Sequence, residues 1–582
     1  MSDRIGCLAL VLHSHVPYVL GHGTWPHGSE MLYEAVAETY MPLIRMLERL
    51  LEEGVQPKLT VGVTPVVAEQ LADSRFREWF PQYLQNKINL ACDNEAEFAR
   101  QGRGHLQYLA LRWRDHYSGL LSDFCERYGG DLLAAFAELQ DRGCVDLLTS
   151  AATHGYLPLL HEDASIQAQV RQGVRTYERC FGRRPRGFWL PECAYRPRYR
   201  WQAPASVMGR DGQGRLRKGV EEFLAENGVD YCFVDSDVLH WGEHPLPVRI
   251  DWEHALGKLW GRIFHVREPR PYDGDKSPYL AYFVGSHFED HPPVAIFVRD
   301  PRSSMQVWSG EHGYPGDFWY LDFHKKHYPG GHRYWRVTDA RNDLGSKQDY
   351  SPEMAEERAR ENAGHFLWMT KEILRHDAPH KNDRPPVLCA PFDAELFGHW
   401  WFEGIRWLEH VLRWTALDPE IEPVTCSEYL ERYSPSTAIA LSEGSWGQGG
   451  EHWVWLNEGT EWTWRRVYDA EMDMNDLALH HPRATDPALR AILQQAAREL
   501  LLLQASDWQF LITTWTARDY AEARAHGHHT DFKRLSDMAR RYARGEWIHD
   551  HEWSYLGHLQ ERDRIFPDID PAWFGAVEHA AE

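Results

Sequence analysis

The 582-residue chain carries 43% hydrophobic and 26% charged residues, the balance of a globular protein with room for one large domain and a satellite, or two to four ordinary domains. A formal net charge of −23 argues against nucleic acid or an anionic membrane as partner. Nine cysteines are scattered without a CxxC pair, and Cys7, Cys232 and Cys389 fall inside apolar runs, so they read as small core hydrophobes in a reducing compartment. No signal-peptide pattern precedes the first apolar run and no stretch is long enough to span a bilayer, so a cytoplasmic, soluble protein is expected. The 26 tryptophans stand out. The flat indole face suits stacking on a sugar ring; the alternative for any one of them is a place in the core.

Taken in order, the chain alternates short apolar runs with helical periodicity. A first strand over Cys7 to Leu12 ends in His13-Ser14-His15-Val16-Pro17-Tyr18, and a helix follows from about Ser29, its expected N-cap, to Leu51. A second strand spans Leu59 to Val63. Residues 66–141 read as helical, too long for one crossover helix, so 90–144 is assigned to a helical insertion. A third strand, Val145 to Ser150, leads into His154, and a fourth, Gly187 to Leu190, stops at Pro191-Glu192. Residues 196–217 read as a basic loop. A fifth strand covers Tyr231 to Val234, and 238–292, full of Pro, Gly, His and Trp, reads as a long functional loop. A sixth strand, Val294 to Val298, precedes an aromatic loop region over 301–350. A helix with Pro at its first position runs from Ser351 to about His376, and the seventh strand is Val387 to Ala390. Beyond Gly404 no strand is expected, and 486–506 and 532–544 read as helices. The fold predicted is α/β: an incomplete (β/α)7 barrel over 1–404, with a helical C-terminal domain over 405–582 packed on its mouth.

Two carboxylates, Glu192 and Asp393, sit just past strand ends beside Pro and aromatics, where parallel barrels build active sites. Such a pair is what glycoside cleavage needs: one nucleophile and one acid/base, about 5–5.5 Å apart in a retaining enzyme. Each could instead cap a helix or pair with an Arg. His13 and His15 alternate along the first strand's end, and their side chains are expected to diverge. With His154 and His399 they leave open a zinc site, as in a polysaccharide deacetylase. The segment Ser445 to Asn457 holds three Trp and three Gly and reads as an aromatic platform for a polymer.

At these residues the chain resembles glycoside hydrolase family 57, and within it the 1,4-alpha-glucan branching enzymes. The resemblance rests on His13 to Tyr18, Ala151 to Pro158, Trp189 to Tyr195, Pro391 to Gly404 and Ser445 to Asn457, with Trp25-Pro26, Val307 to Ser309 and Gly313 to Asp317, in order over nearly the whole chain. It implies a retaining double displacement with no metal and no cofactor, Glu192 as nucleophile and Asp393 as acid/base. It also implies that Trp25, Trp308, Trp446 and Trp455 line a cleft for an α-1,4-glucan such as amylose, glycogen or maltodextrin. His13, His15, His154, Trp189, His399, Trp400 and Trp508 complete the expected substrate-binding set. A mobile loop with a tyrosine tip would favour transfer over hydrolysis; Tyr272 is the candidate, with Tyr279 as fallback. A monomer or small homo-oligomer fits. The rival readings are an α-glucan hydrolase or 4-α-glucanotransferase on the same scaffold, a catalytically silent glucan-binding protein, and the zinc deacetylase.

Overall fold

The computed structural model describes residues 4–208, 214–239, 276–285, 291–339, 341, 343–378, 384–482 and 484–575. Seven strands form the frame: β1 (Gly6–Ser14), β2 (Leu59–Val63), β3 (Val145–Ser150), β4 (Gly187–Trp189), β5 (Tyr231–Val234), β6 (Ala295–Val298) and β7 (Val387–Asp393). They pair in parallel in the order β7-β1-β2-β3-β4-β5-β6. Strands buried on both faces read as unbroken apolar runs. In β1 the outward Leu8, Leu10 and Leu12 meet the surrounding helices, while Cys7, Ala9 and Val11 face inward. Those small side chains leave the interior to Trp189, Tyr231, Phe233 and Phe297 from β4 to β6.

The ring closes without a full strand pair. Between β6 and β7 there is one parallel bridge, Arg299 to Cys389, where the Asp300 N–H donates to the Cys389 carbonyl at 3.0 Å. The architecture is the expected incomplete (β/α)7 barrel with a helical C-terminal region. Three details differ from expectation. Strands continue past Gly404: Ile421–Pro423 pairs with β1, and Ala438–Ile439 pairs with Tyr282–Val284, itself antiparallel to β6. Residues 196–217 are not all loop, because Tyr199–Trp201 and Arg215–Arg217 pair antiparallel. The basic character there is partly structural: buried Arg217 donates to Asp163 at 2.6 Å and lies over the Trp201 ring. The third detail is that Ser29 opens its helix rather than capping it; Gly28 is the cap.

That first helix widens into a π turn over Val36–Tyr40 before continuing as Met41–Glu52. Such turns re-aim side chains at functional sites, and this one presents Glu38 and Tyr40 to the residues after β7. Residues 65–141 form the helices Pro65–Ala72, Ser74–Arg100, Gly104–Ser122 and Leu132–Asp141. The long pair packs on the 320–350 segment, where Trp113 Nε1 donates to the Arg333 carbonyl at 2.7 Å and Asn94 to the Tyr334 hydroxyl at 2.9 Å. The barrel floor is plugged by the helix Cys426–Arg432, whose first N–H groups donate to Thr60 of β2 and Asp146 of β3, both at 3.1 Å.

The C-terminal region holds the helices Glu461–His480, Pro487–Leu503, Asp507–Thr514, Arg518–Ala543 and Asp550–Arg562. The Asp486 carboxylate caps the second, accepting from Ala488 and Leu489 N–H at 2.8 and 2.9 Å. A buried ionic cluster ties this region to the loop after β1: His22 and Arg562 both contact Asp563 at 2.5 Å, and His528 pairs with Glu499 at 2.7 Å. No described helix is long and apolar enough to cross a membrane.

Candidate active site

Glu192 follows β4 on a one-turn 3-10 segment, Pro191–Cys193, with its backbone at φ 61° and ψ 23°. A non-glycine residue in this left-handed region carries strain of roughly 1–2 kcal/mol, tolerated where surrounding structure over-determines it. Here the Glu192 carbonyl accepts from the Trp446 N–H at 3.1 Å and the Cys193 N–H donates to Leu190 at 2.9 Å. The turn holds the carboxylate under two donors. Trp446 Nε1 donates to Oε2 at 2.8 Å, and the Ser506 hydroxyl donates to Oε1 at 3.0 Å. Burial still dominates and pushes Glu192 up to about 7, with the two hydrogen bonds pulling the other way.

Asp393 ends β7, in register with His13 on β1. Burial, then the charges of Glu395 and Glu192, push its carboxyl well above the usual carboxylate range; Arg299 opposes them weakly. Of the two carboxylates, Glu192 thus has donors aimed at both oxygens, whereas Asp393 is moved chiefly by burial and like charge. Environments that drive two titratable groups apart in this way separate an anion from a proton donor.

Around them the histidines do not diverge. Residues i and i+2 of a strand share a face, and His13 and His15 stack at 6.0 Å between ring centroids, with His154 lying 5.0 Å from His13 and 4.0 Å from His15. His13 Nε2 and His154 Nε2 are 3.0 Å apart, and Trp189 covers the His13 ring at 4.5 Å. His15 Nε2 pairs with both oxygens of Asp507 at 3.0 Å; burial alone would lower its pKa, but the Asp507 charge and hydrogen bond outweigh it and the net shift is upward. His399 turns elsewhere, placing Nδ1 2.8 Å from Glu38. The four histidines therefore do not converge on one point. Among the described residues the His/Asp/Glu atoms close enough for a metal belong to Glu499, His528 and Asp563, where Arg562 and Arg524 already supply the positive charge.

The aromatic candidates divide by burial. Trp25 is 69% exposed and Trp400 39% exposed, with Trp308 5.9 Å from Trp400 at the ring centroids. These can offer a face to a ligand. Trp455 is buried against Tyr156 at 4.6 Å, and Trp508 is fully buried with Nε1 donating to Leu502 at 2.8 Å. Contrary to expectation, Trp455 and Trp508 sit behind the surface and support it; Trp189 does the same beneath His13. Tyr279 is also buried, its hydroxyl donating to Asp300 at 2.9 Å and its carbonyl accepting from Val387, so it is part of the sheet's frame and not a loop tip. Tyr272 lies outside the described residues.

Several residues around the two carboxylates carry no signal in the sequence. Ser506 and Asp507 come from the C-terminal helices, and the Ser506 N–H donates to the His154 carbonyl at 3.1 Å. Glu395 accepts from the His15 N–H at 3.0 Å and from the Tyr40 hydroxyl. Arg299 pairs with Asp235 at 3.1 Å and lies over the Trp446 ring at 5.3 Å. Gly398 could have been flagged: at φ 106° it passes so close to the Glu38 carbonyl that a Cβ would sit 1.9 Å from the oxygen.

A seven-stranded parallel barrel with two unlike carboxylates at its strand ends and an aromatic surround has the parts that a glycosidase-type site needs. The sequence pattern of glycosyl hydrolase family 57 matches residues 9–442, and that of the 1,4-alpha-glucan branching enzyme C-terminal domain matches residues 466–574. The chain belongs to glycosyl hydrolase family 57. It is 40% identical, over 97% of its length and 78% of the relative's, to a 1,4-alpha-glucan branching enzyme of Thermococcus kodakarensis. Among solved structures, that family 57 branching enzyme in complex with glucose superposes with a TM-score of 0.86 at 39% identity, covering 99% of this chain and 98% of the other. The family 57 branching enzyme of Pyrococcus horikoshii gives 0.84 at 38%, again over 99% and 98%. The alpha-amylase AmyC of Thermotoga maritima gives 0.77 at 28%, over 99% and 100%.

Proposed function

We propose that this protein is a 1,4-alpha-glucan branching enzyme: a retaining transglycosidase that cleaves an α-1,4-glucan and passes the segment to a 6-hydroxyl. The contrast between Glu192, under two hydrogen-bond donors, and Asp393, pushed well up by burial and neighbouring carboxylates, supports the two-carboxylate mechanism. The 40% identity to a branching enzyme over 97% of the chain, with the match to the branching-enzyme C-terminal domain, carries the choice of transfer to a 6-hydroxyl. In the first displacement a Glu192 oxygen attacks the anomeric carbon, the bond to the leaving glucan oxygen breaks, and Asp393 gives that oxygen its proton. In the second, a 6-hydroxyl of another glucan attacks the same carbon, loses its proton to Asp393 and releases Glu192. Water in that place would give hydrolysis, so exclusion of water and positioning of the acceptor decide the product. The exposed faces of Trp25 and Trp400 are the stacking surfaces offered for this. The setting would be glycogen-type storage-glucan metabolism in the cytoplasm.

The likeness to AmyC keeps hydrolysis as the second reading. Incubation with amylose, with α-1,6 linkages measured by proton NMR and reducing ends in parallel, separates the two. New α-1,6 signal with few reducing ends supports branching; reducing ends alone would replace it with hydrolysis. Glu192→Gln is expected to lower turnover by at least about 10^4-fold, as loss of a covalent nucleophile does, with the fold unchanged by circular dichroism.

A further inference from the structure

Behind Glu192 runs a single file of hydrogen bonds that reaches β1. Ser506 Oγ lies 3.0 Å from Glu192 Oε1 and 2.9 Å from His154 Nδ1, and His154 Nε2 lies 3.0 Å from His13 Nε2. The file ends at His13 Nδ1, buried and without a hydrogen-bond partner among the described residues. One proton is available for each link, so the file has a direction. With Glu192 ionised, Ser506 donates to it, His154 Nδ1–H donates to Ser506, and His13 Nε2–H donates to His154. The terminal His13 Nδ1 is then a bare lone pair, which a buried site tolerates better than an unpaired N–H. With Glu192 protonated at Oε1, either every link reverses and His13 carries its proton on Nδ1 with nothing to receive it, or Ser506 accepts from Glu192 and His154 together and its own O–H is left without an acceptor. Protonation at Oε2 is no easier, because Trp446 Nε1–H points at that oxygen.

We propose that His13, His154 and Ser506 form a one-way hydrogen-bond relay that holds Glu192 in its ionised, attacking form. They are positioning residues, and this rests on the assignment of Glu192 as nucleophile. The relay works only if both of its histidines are neutral. Burial lowers both well below the ordinary histidine range, and the neighbouring His15, paired with Asp507, lowers them further. The other charged groups around Glu192 are Asp393 at the end of β7, Glu395 after it, Asp235 after β5 and Arg299 after β6. None of them lies in the file. Of the stacked trio, His15 alone is shifted toward the charged form, by its pairing with Asp507, leaving His13 and His154 to set direction.

The test uses the full-length protein and the pH dependence of kcat/KM on amylose. His13→Gln replaces a one-way donor with a carboxamide that can donate or accept, so the reversed file no longer ends in an unpaired N–H. The acid limb should move up by about one pH unit, seen as about tenfold lower kcat/KM on that limb. Ser506→Ala removes the donor itself and should move the limb the same way. An inactive Glu192→Gln together with unmoved limbs in both variants would overturn the relay while leaving the nucleophile assignment standing. A Glu192→Gln variant that keeps turnover would overturn the assignment and the relay with it. Should either relay variant lose its native near-ultraviolet circular dichroism, nitrogen NMR of histidine-labelled wild type decides. Nε2–H on His13 with Nδ1–H on His154 supports the relay, and the opposite tautomers overturn it.

Discussion

At the scale of single residues, the site separates two carboxylates by what surrounds their oxygens. Activity requires Glu192 without its proton and Asp393 with one, so kcat/KM should be bell-shaped. The acid limb should fall near pH 7, where burial has placed Glu192, and the alkaline limb should come from Asp393, above the usual carboxylate range. A profile flat through pH 7 would contradict the Glu192 assignment. Asp393→Asn should cost about 10^2–10^4-fold on amylose, the usual worth of a general acid, but much less on an α-glycosyl fluoride, whose leaving group needs no proton. Equal losses on both donors would move the acid elsewhere.

At the scale of elements, the loop from Gly444 to Glu451 holds the Trp446 donor in place. Gly450 has φ 76°, and a Cβ there would stand 2.8 Å from the Asp237 carboxylate. Gly450→Ala should therefore displace the Trp446 indole and lower kcat about 10–100-fold, an expected loss of about 1.4–3 kcal/mol in the transition state, with KM less affected. A wild-type kcat would show that the loop accommodates the strain without moving Trp446. The strands that carry the site were legible because parallel strands, buried on both faces, spell continuous apolar runs that stop at Pro or a charge. Gly187 to Trp189 before Pro191-Glu192 is the clearest. The strands Ile421–Pro423 and Ala438–Ile439 were not, being two or three residues long and lacking such a run. Ser506 was invisible for another reason. It is a lone serine between two helices, and its partner Glu192 is 314 residues away. Trp508, two positions on, is the more conspicuous residue in the sequence, but its size signals burial as readily as binding.

At the scale of the whole molecule, buried carboxylates make stability depend on pH in a definite direction. Burial raises Glu403 and Glu471 to about 7. Each binds its proton more tightly in the folded chain, so its contribution is complete below the unfolded value near 4.5 and disappears as pH rises through 7. The change is about 3 kcal/mol per group. Glu38 behaves oppositely: despite burial, Arg333 and His399 hold it at about 2, so its contribution is present above 4.5 and is lost in acid. The melting temperature should therefore peak near pH 5 and fall toward pH 8.5, and Glu403→Gln should flatten that fall. A melting temperature that rises from pH 5 to 8.5 would show that these carboxyls are not neutral in the folded state.

The placement of Ser506 also bears on the making of the protein. Ribosomes deliver the barrel strands first, and β7 is complete at Asp393, so both carboxylates exist on the nascent chain more than a hundred residues before the serine that faces one of them. Trp446 also follows β7, so when that strand is complete Glu192 has neither of its two donors, and until the later segment emerges and docks against His154 a growing polypeptide holding all seven strands is still an unarmed catalyst.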